Sequence, residues 1–233
     1  VTVLVSFLIK RIKRDTVPIL LFVIVFAVMS YPLLFKLGDM VPFLNGDTYQ
    51  ASWLNWWTWE AVSTGQDYNF TPLLFAPNGL DYSLQPPRYP ALPIWIAFYE
   101  LFGEPTAYNL SVAVEVIIKA YGMYLLGLYL FKRRVPAWVT GAFYAFGAMS
   151  LQMALQQPYT GSTEWIPFFM LAYIYGIDLI RQRAHPKTII GVMVLSGFLF
   201  LLSFYMNIKI GIFAMLIGGG YVLFAFVWHR LWS

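Results

Sequence analysis

AYNLSVAVEVIIKAYGMYLLGLYLF, residues 107–131, is the stretch that decides the fold. It carries two charged side chains, Glu115 and Lys119, and is followed at once by Lys132, Arg133 and Arg134. About 20 apolar residues suffice for a helix to cross the roughly 30 Å of hydrocarbon in a bilayer. The stretch therefore predicts a membrane-spanning helix stopped by a basic cluster.

Comparable apolar runs lie on either side, at Val17–Leu34, Ala137–Leu155, Trp165–Ile180, Thr188–Met206 and Ile210–Trp228. Ala91–Phe102 is apolar but only about 18 Å long as a helix, from a rise of 1.5 Å per residue, and reads as a half-helix or interfacial helix. The expected fold is an all-α polytopic membrane helix bundle of about six transmembrane helices, forming one transmembrane domain over 1–233. Within it, residues 1–15 form a basic cytoplasmic or interfacial stub. Residues 36–90 form a large first extracytoplasmic loop containing interfacial helices, and 91–233 supply the remaining helices. Val1 at the start, and Ser233 just after an apolar run, lead us to expect the ordered part of a longer chain. The opening VTVLVSFLIKRIKRD has its basic residues after its apolar ones and no small-residue cleavage site, unlike a secretory signal.

Composition agrees. Hydrophobic residues make up 60% of the chain and charged residues 11%, against about 25% charged in soluble domains, and the mean hydropathy is +0.65. With the amino terminus in the cytoplasm, the cytoplasmic helix ends collect Lys10, Arg11, Lys13, Arg14, Lys132, Arg133, Arg134, Arg181, Arg183, Lys187 and Arg230, which is 11 of the 15 basic residues. The opposite side collects Asp39, Asp47, Glu60, Asp67, Asp81, Glu100, Glu104 and Glu164, eight of the 11 acids. Such asymmetry follows the positive-inside rule and predicts insertion in the cell membrane with loop 36–90 extracytoplasmic. The net charge of +4 is spread over short loops, which gives no nucleic-acid footprint. Cysteine is absent, and the two histidines, His185 and His229, sit at predicted helix ends. These features argue against haem and iron–sulfur ligation.

The most unusual local sequence is LNGDTYQASWLNWWTWEAVSTG, residues 44–65. Asn45-Gly46 is a turn signal, and Asp47 is placed to cap the following helix with Gln50 three residues on. Trp53, Trp56, Trp57 and Glu60 follow at helical spacing, with the aromatics on one face. One reading is an amphipathic helix on the outer leaflet held by its tryptophans. The other has Asp47 projecting into an outward cavity as a general base or metal ligand, with the aromatic helix as floor. Glu115 and Lys119 lie at i,i+4 inside the decisive span, in the favoured order for a pair. Charges there cost roughly 2.5–3.5 kcal/mol each on insertion scales, so they are expected to pair and to face protein or water. They read as a self-satisfied pair, as a phosphate-binding lysine with its partner, or as a contact to a neighbouring subunit. Gly218-Gly219-Gly220 reads as a close helix contact rather than a nucleotide loop.

The order of these features resembles the polytopic glycosyltransferases of the GT-C superfamily, in particular the bacterial mannosyltransferase-like type. The stretches that carry the resemblance are Gly46-Asp47 with Gln50 and the Trp-rich helix, FAPNGLDYS at 75–83, YNLSVAVEVIIKAYGMYLLGLYLF at 108–131, GAFYAFGAMS at 141–150 and STEWIPFFMLAY at 162–173. The resemblance implies sugar transfer at the outer membrane face from a polyprenyl-phosphate donor, often with a divalent cation (Mg or Mn). It gives Asp47 the catalytic role. Gln50, Trp53 and Trp57 are then expected at the substrate, and Asp47 with Asp39 at the cation. Glu115 and Lys119 are expected at the substrate too, from their own charges within the span, a pair particular to this chain because that face is usually small and apolar in such enzymes. A histidine often found before the STEWIP-like stretch in such enzymes is replaced here by ALQQPYTG. Besides membrane lipid, the rival reading gives the chain other membrane subunits as partners. In that reading it is a non-catalytic accessory subunit of a larger respiratory or photosynthetic complex.

Overall fold

The structure is a computed structural model that describes residues 14–42, 47–83 and 88–232. Lys10, Arg11 and Lys13 of the expected stub and the Asn45-Gly46 turn lie outside the described residues, as do the side chains of His229 and Arg230.

The regular structure of the described residues is nearly all helix. In order the chain forms α1 (Thr16–Met29), a 3-10 turn (Leu33–Phe35), α2 (Asp47–Thr64), a small hairpin of β1 (Phe70–Thr71) and β2 (Leu80–Asp81), and α3 (Leu92–Phe102). It continues with α4 (Thr106–Phe131), α5 (Arg134–Phe146), α6 (Ala148–Gln156), α7 (Pro158–Gly161), α8 (Ile166–Arg181), α9 (Pro186–Met206) and α10 (Ile208–Trp232). The hairpin, antiparallel with Phe70 opposite Asp81, was not expected from sequence. Local chemistry sets several boundaries. Proline opens α3, α7, α8 and α9 in the first turn, where its missing N–H costs nothing. Gly103 ends α3 at φ +67°, its N–H returning to the Tyr99 carbonyl, a conformation glycine adopts without strain.

Among the described residues, three stretches are long and apolar enough to cross a membrane: Thr106–Phe131, Pro158–Arg181 and Pro186–Met206. The first corresponds to the decisive span. Thr16–Met29, Leu92–Phe102 and Ile208–Phe224 are apolar but shorter. Two expected spans are altered. The run Val17–Leu34 is helical only to Met29, and Pro32, which has no N–H to donate, leads into the 3-10 turn. The run Ala137–Leu155 breaks at Gly147, whose ψ of 140° leaves the helix. The Tyr144 carbonyl near the break accepts the Ser150 hydroxyl at 2.7 Å, so a side chain satisfies a backbone group that α5 leaves open.

Helices α1, α3, α5, α6 and α8 pack around α4, while α9 and α10 pack on α8 and on each other. Tyr108, Val112, Val116, Ala120 and Tyr124 recur every fourth residue and form a buried ridge against Phe22 and Phe26 of α1, Ala137, Ala145 and Phe146 of α5, and Leu151 and Ala154 of α6. Phe22 stacks on Trp138 with centroids 5.4 Å apart. Small residues bring α4 and α5 into backbone contact, as is usual between membrane helices. A Cβ at Gly141 would lie 2.5 Å from the Ala120 carbonyl oxygen and 2.9 Å from Phe22. At the start of α1, fully buried Asp15 accepts the Tyr121 and Tyr124 hydroxyls at 3.2 and 3.5 Å.

Gly141→Val should therefore destabilise the detergent-solubilised protein by about 1–3 kcal/mol, the usual cost of overpacking. Gly197→Ala, where the added methyl meets open space, should be neutral or gain up to about 1 kcal/mol from helix propensity. Thermal unfolding of the two variants checks the contrast.

Candidate functional site

Asp47 is the first residue of α2, at the helix end where the macrodipole favours a carboxylate, and is partly exposed. Its neighbour Thr48 is fully buried. The Thr48 hydroxyl shares its proton between the Pro42 carbonyl at 3.0 Å and the Gln156 carbonyl at 3.3 Å. That contact seats the start of α2 on the end of α6. The rest of α2 buries Ala51, Leu54, Asn55, Trp57, Thr58 and Ala61, a helical stripe that packs on α3, α6 and α7.

The tryptophan spacing does gather the rings. Trp53 stacks on Trp57 at 6.2 Å and lies 5.8 Å from Tyr82 of the loop, while Trp56 leans on both tryptophans. Trp57 is nevertheless buried, whereas Trp53 and Trp56 stay partly exposed, so the helix is held to the protein by the aromatic cluster. Gln50, one turn from Asp47, is also partly exposed. A second set of bonds closes this end: Glu104 accepts Ser52 Oγ and Trp95 Nε1, both at 2.7 Å, and Glu100 accepts Trp59 Nε1 at 2.9 Å.

Beneath the start of α2 lies a buried charged cluster. Arg88, just before α3, places its guanidinium on the Glu115 carboxylate of α4 with contacts of 2.7 and 2.9 Å. It also donates to Ser162 Oγ at 3.1 Å and the Pro158 carbonyl at 3.4 Å. Lys119, one turn further along α4, donates to the Gly161 carbonyl at 3.2 Å and stands over the Tyr144 ring at 5.5 Å. Glu164 completes the group, with its Oε1 buried and without a hydrogen-bond partner. Relative exposures are 5% for Arg88, 8% for Glu115, 4% for Lys119 and 2% for Glu164. Burial opposes the charge on Arg88, but Glu115 and then Glu164 outweigh it and hold the guanidinium above its ordinary value. The Arg88–Glu115 ion pair balances its own charge, which makes its burial tolerable.

The expected Glu115–Lys119 pair is corrected here. Glu115 bonds to Arg88 instead, because a guanidinium offers a two-pronged, charge-assisted match that a single ammonium cannot. Lys119 turns to the Gly161 carbonyl of α7, and Gly161 lets α7 sit close on α6: a Cβ there would lie 2.6 Å from the Ala154 backbone nitrogen. The charged side chains border a small cavity between α4, α6 and α7, with room for about one water. The cavity admits neither a sugar nor a phosphate as it stands. The Tyr159 carbonyl on α7 accepts Asn207 Nδ2 at 2.7 Å.

Asp39 is exposed in the turn after the 3-10 helix, its N–H bonded to the Lys36 carbonyl at 3.1 Å, on a different element from Asp47. Among the described residues no group of three His, Asp or Glu side chains is assembled to hold a metal ion. Sequence reasoning did not single out Arg88, Ser162 or Glu164. The available signal was that Glu115 and Lys119 need partners in a low-dielectric site, and Arg88, amid Pro86, Pro87 and Pro90, was a rare cation on the acidic side. Comparison with family models, with curated proteins and with solved structures finds no match.

Arg88→Gln should leave the Glu115 carboxylate buried and uncompensated, costing about 3–5 kcal/mol. Arg88→Gln combined with Glu115→Gln should recover most of that loss. Thermal midpoints of Arg88→Gln, Glu115→Gln and the double variant in detergent measure the coupling, and a double-variant loss equal to the sum of the two single losses would show that Arg88 and Glu115 act independently.

Proposed function

We propose that this chain is a GT-C-like membrane protein that crosses the cell membrane six times, with residues 36–90 on the extracytoplasmic side. In this reading it transfers a sugar from a polyprenyl-phosphate donor at that face. The observation that carries it is Asp47: a partly exposed carboxylate at a helix start, seated by Thr48 on α6 and flanked by an aromatic cluster. Asp47 acts as general base. It takes the proton from an acceptor hydroxyl as that oxygen bonds to the anomeric carbon, while the bond from that carbon to the phosphate oxygen breaks and its electron pair leaves with the phosphate. Gln50 hydrogen-bonds a sugar hydroxyl, and the partly exposed ring of Trp53 supports the sugar. Glu115 and Lys119, held by Arg88 and Gly161, position α7 rather than touch the sugar. The described acidic residues do not gather as a cation site, and no step here runs through a metal.

The small volume of the buried cavity favours a second reading, in which the chain is a non-catalytic accessory subunit of a larger respiratory or photosynthetic complex. That reading predicts co-purification with other membrane subunits at fixed stoichiometry.

Asp47→Asn should reduce transfer from a polyprenyl-phosphate sugar by about 10²–10⁴-fold, the range for a positioned base, with an unchanged thermal midpoint. Full transfer by this variant would remove Asp47 from the chemistry. Topology is separately measurable, because the chain has no cysteine. A cysteine at exposed Ser63 should react with a membrane-impermeant maleimide in intact cells, and one at exposed Arg183 only after lysis. The reverse pattern would invert the proposed orientation.

A further inference from the structure

The end of the bundle remote from Asp47 carries a basic surface that the proposed transfer does not use. The turn between α4 and α5 presents Lys132, Arg133 and Arg134, and the turn between α8 and α9 presents Arg181, Arg183 and Lys187, all exposed. The fold brings the two turns together. Tyr129 of α4 donates its hydroxyl to Asp178 of α8 and packs edge-on against Tyr175 at 6.0 Å. Lys132 stands 4.0 Å above the same Tyr129 ring, and Arg181 lies 3.6 Å from Asp178. Lys132 and Arg181 are thereby anchored around one Tyr–Asp pair. Arg133, Arg134, Arg183 and Lys187 form no ion pair with an acidic residue among the described residues. Of the two acids at this end, Asp15 is fully buried and Asp178 is already bonded to Tyr129.

Directly beside these cations the helices turn apolar and open. Leu130, Phe131, Val135, Val139 and Phe143 on one side, and Ile180, Ile190 and Val194 on the other, are exposed large hydrophobics. Two neighbouring turns of exposed cations, four of them without an ion pair among the described residues, border open apolar helix faces and match a molecule with an anionic head and hydrocarbon tails. A soluble anion would leave the apolar part unused, and an acidic peptide would leave it uncovered. We infer that this end is a binding site for anionic phospholipid, whose phosphate bridges the α4–α5 and α8–α9 turns while its acyl chains lie along α5 and α9. The arginines supply forked hydrogen bonds to phosphate oxygens, and the surrounding charge adds general attraction to an anionic leaflet.

The test uses the full chain purified in detergent, with phosphatidylglycerol, phosphatidylcholine or inorganic phosphate added, and reads retained lipid by native mass spectrometry alongside the thermal midpoint. Phosphatidylglycerol should be retained and should raise the midpoint; phosphatidylcholine and inorganic phosphate should do neither. R133Q/R134Q/R183Q should weaken phosphatidylglycerol retention on the order of 100-fold, from the contribution of each cation near an anionic surface. Because removing charge can also disturb insertion, R133K/R134K/R183K serves as the second variant. It keeps the charge and loses the fork, and should release phosphatidylglycerol at lower salt than the unaltered chain. Equal retention of both lipids, stabilisation reproduced by inorganic phosphate, or both variants holding phosphatidylglycerol like the unaltered chain would each overturn the inference.

Discussion

The Arg88–Glu115 pair is the contact on which the acidic end of the molecule depends. It joins a loop residue to the central helix across 27 positions of sequence, and the same guanidinium reaches the Pro158 carbonyl and Ser162 at the two edges of α7. Loop, α4 and α7 therefore share one fixed point. A buried ion pair is a poor source of net stability, since desolvation consumes most of the attraction. Its value is geometric: a two-pronged pair has one acceptable arrangement, and slippage would strand a charge. With α7 fixed, Gly161 can meet Lys119, and the neighbouring end of α6 can receive Thr48 at the start of α2.

Much of the fold was legible because a bilayer imposes a length on apolar runs. The helix Thr106–Phe131 lies within one residue of the run read from its composition, and the stretches ending at Arg181 and Met206 follow the same logic. The tryptophan cluster was legible from the i, i+3, i+4 spacing of Trp53, Trp56 and Trp57. The break at Gly147 was not, because glycine is common inside membrane helices and the deciding bond, Ser150 to the Tyr144 carbonyl, links a side chain to a backbone group. The partner of Glu115 was hidden for a different reason. The i,i+4 rule describes an isolated helix, and a guanidinium arriving from the loop is a tertiary fact without periodicity. Glu164 escaped because a residue at the foot of a helix reads as solvent-facing until α4 is seen packed across it.

Charge is sorted along the bundle as well as along the sequence. The acids of the loop, of α2 and of α3 gather at one end, where Glu100 and Glu104 tie the pieces together through tryptophan and serine donors. The exposed cations of the α4–α5 and α8–α9 turns gather at the other, around Tyr129 and Asp178. Between the two lie the small-residue contacts of α4 with α5 and the ridge from Tyr108 to Tyr124. The core is held by shape, and the ends by polar contacts specific to each.

The interruption at Gly147 bears on how deep the buried charges sit. From its basic foot at Arg134, α5 rises only about 20 Å before it stops, whereas α4 continues for about 39 Å. Measured from the same end of α4, Lys119 and Glu115 stand at about 18 and 24 Å, level with the point where α5 gives way to the shorter segments α6 and α7. Above that level the unbroken helix α3 and the short segment α6 flank α4. The groups that answer the buried charges therefore come from loop and short-segment residues, Arg88, Pro158 and Gly161, and not from a second full-length helix.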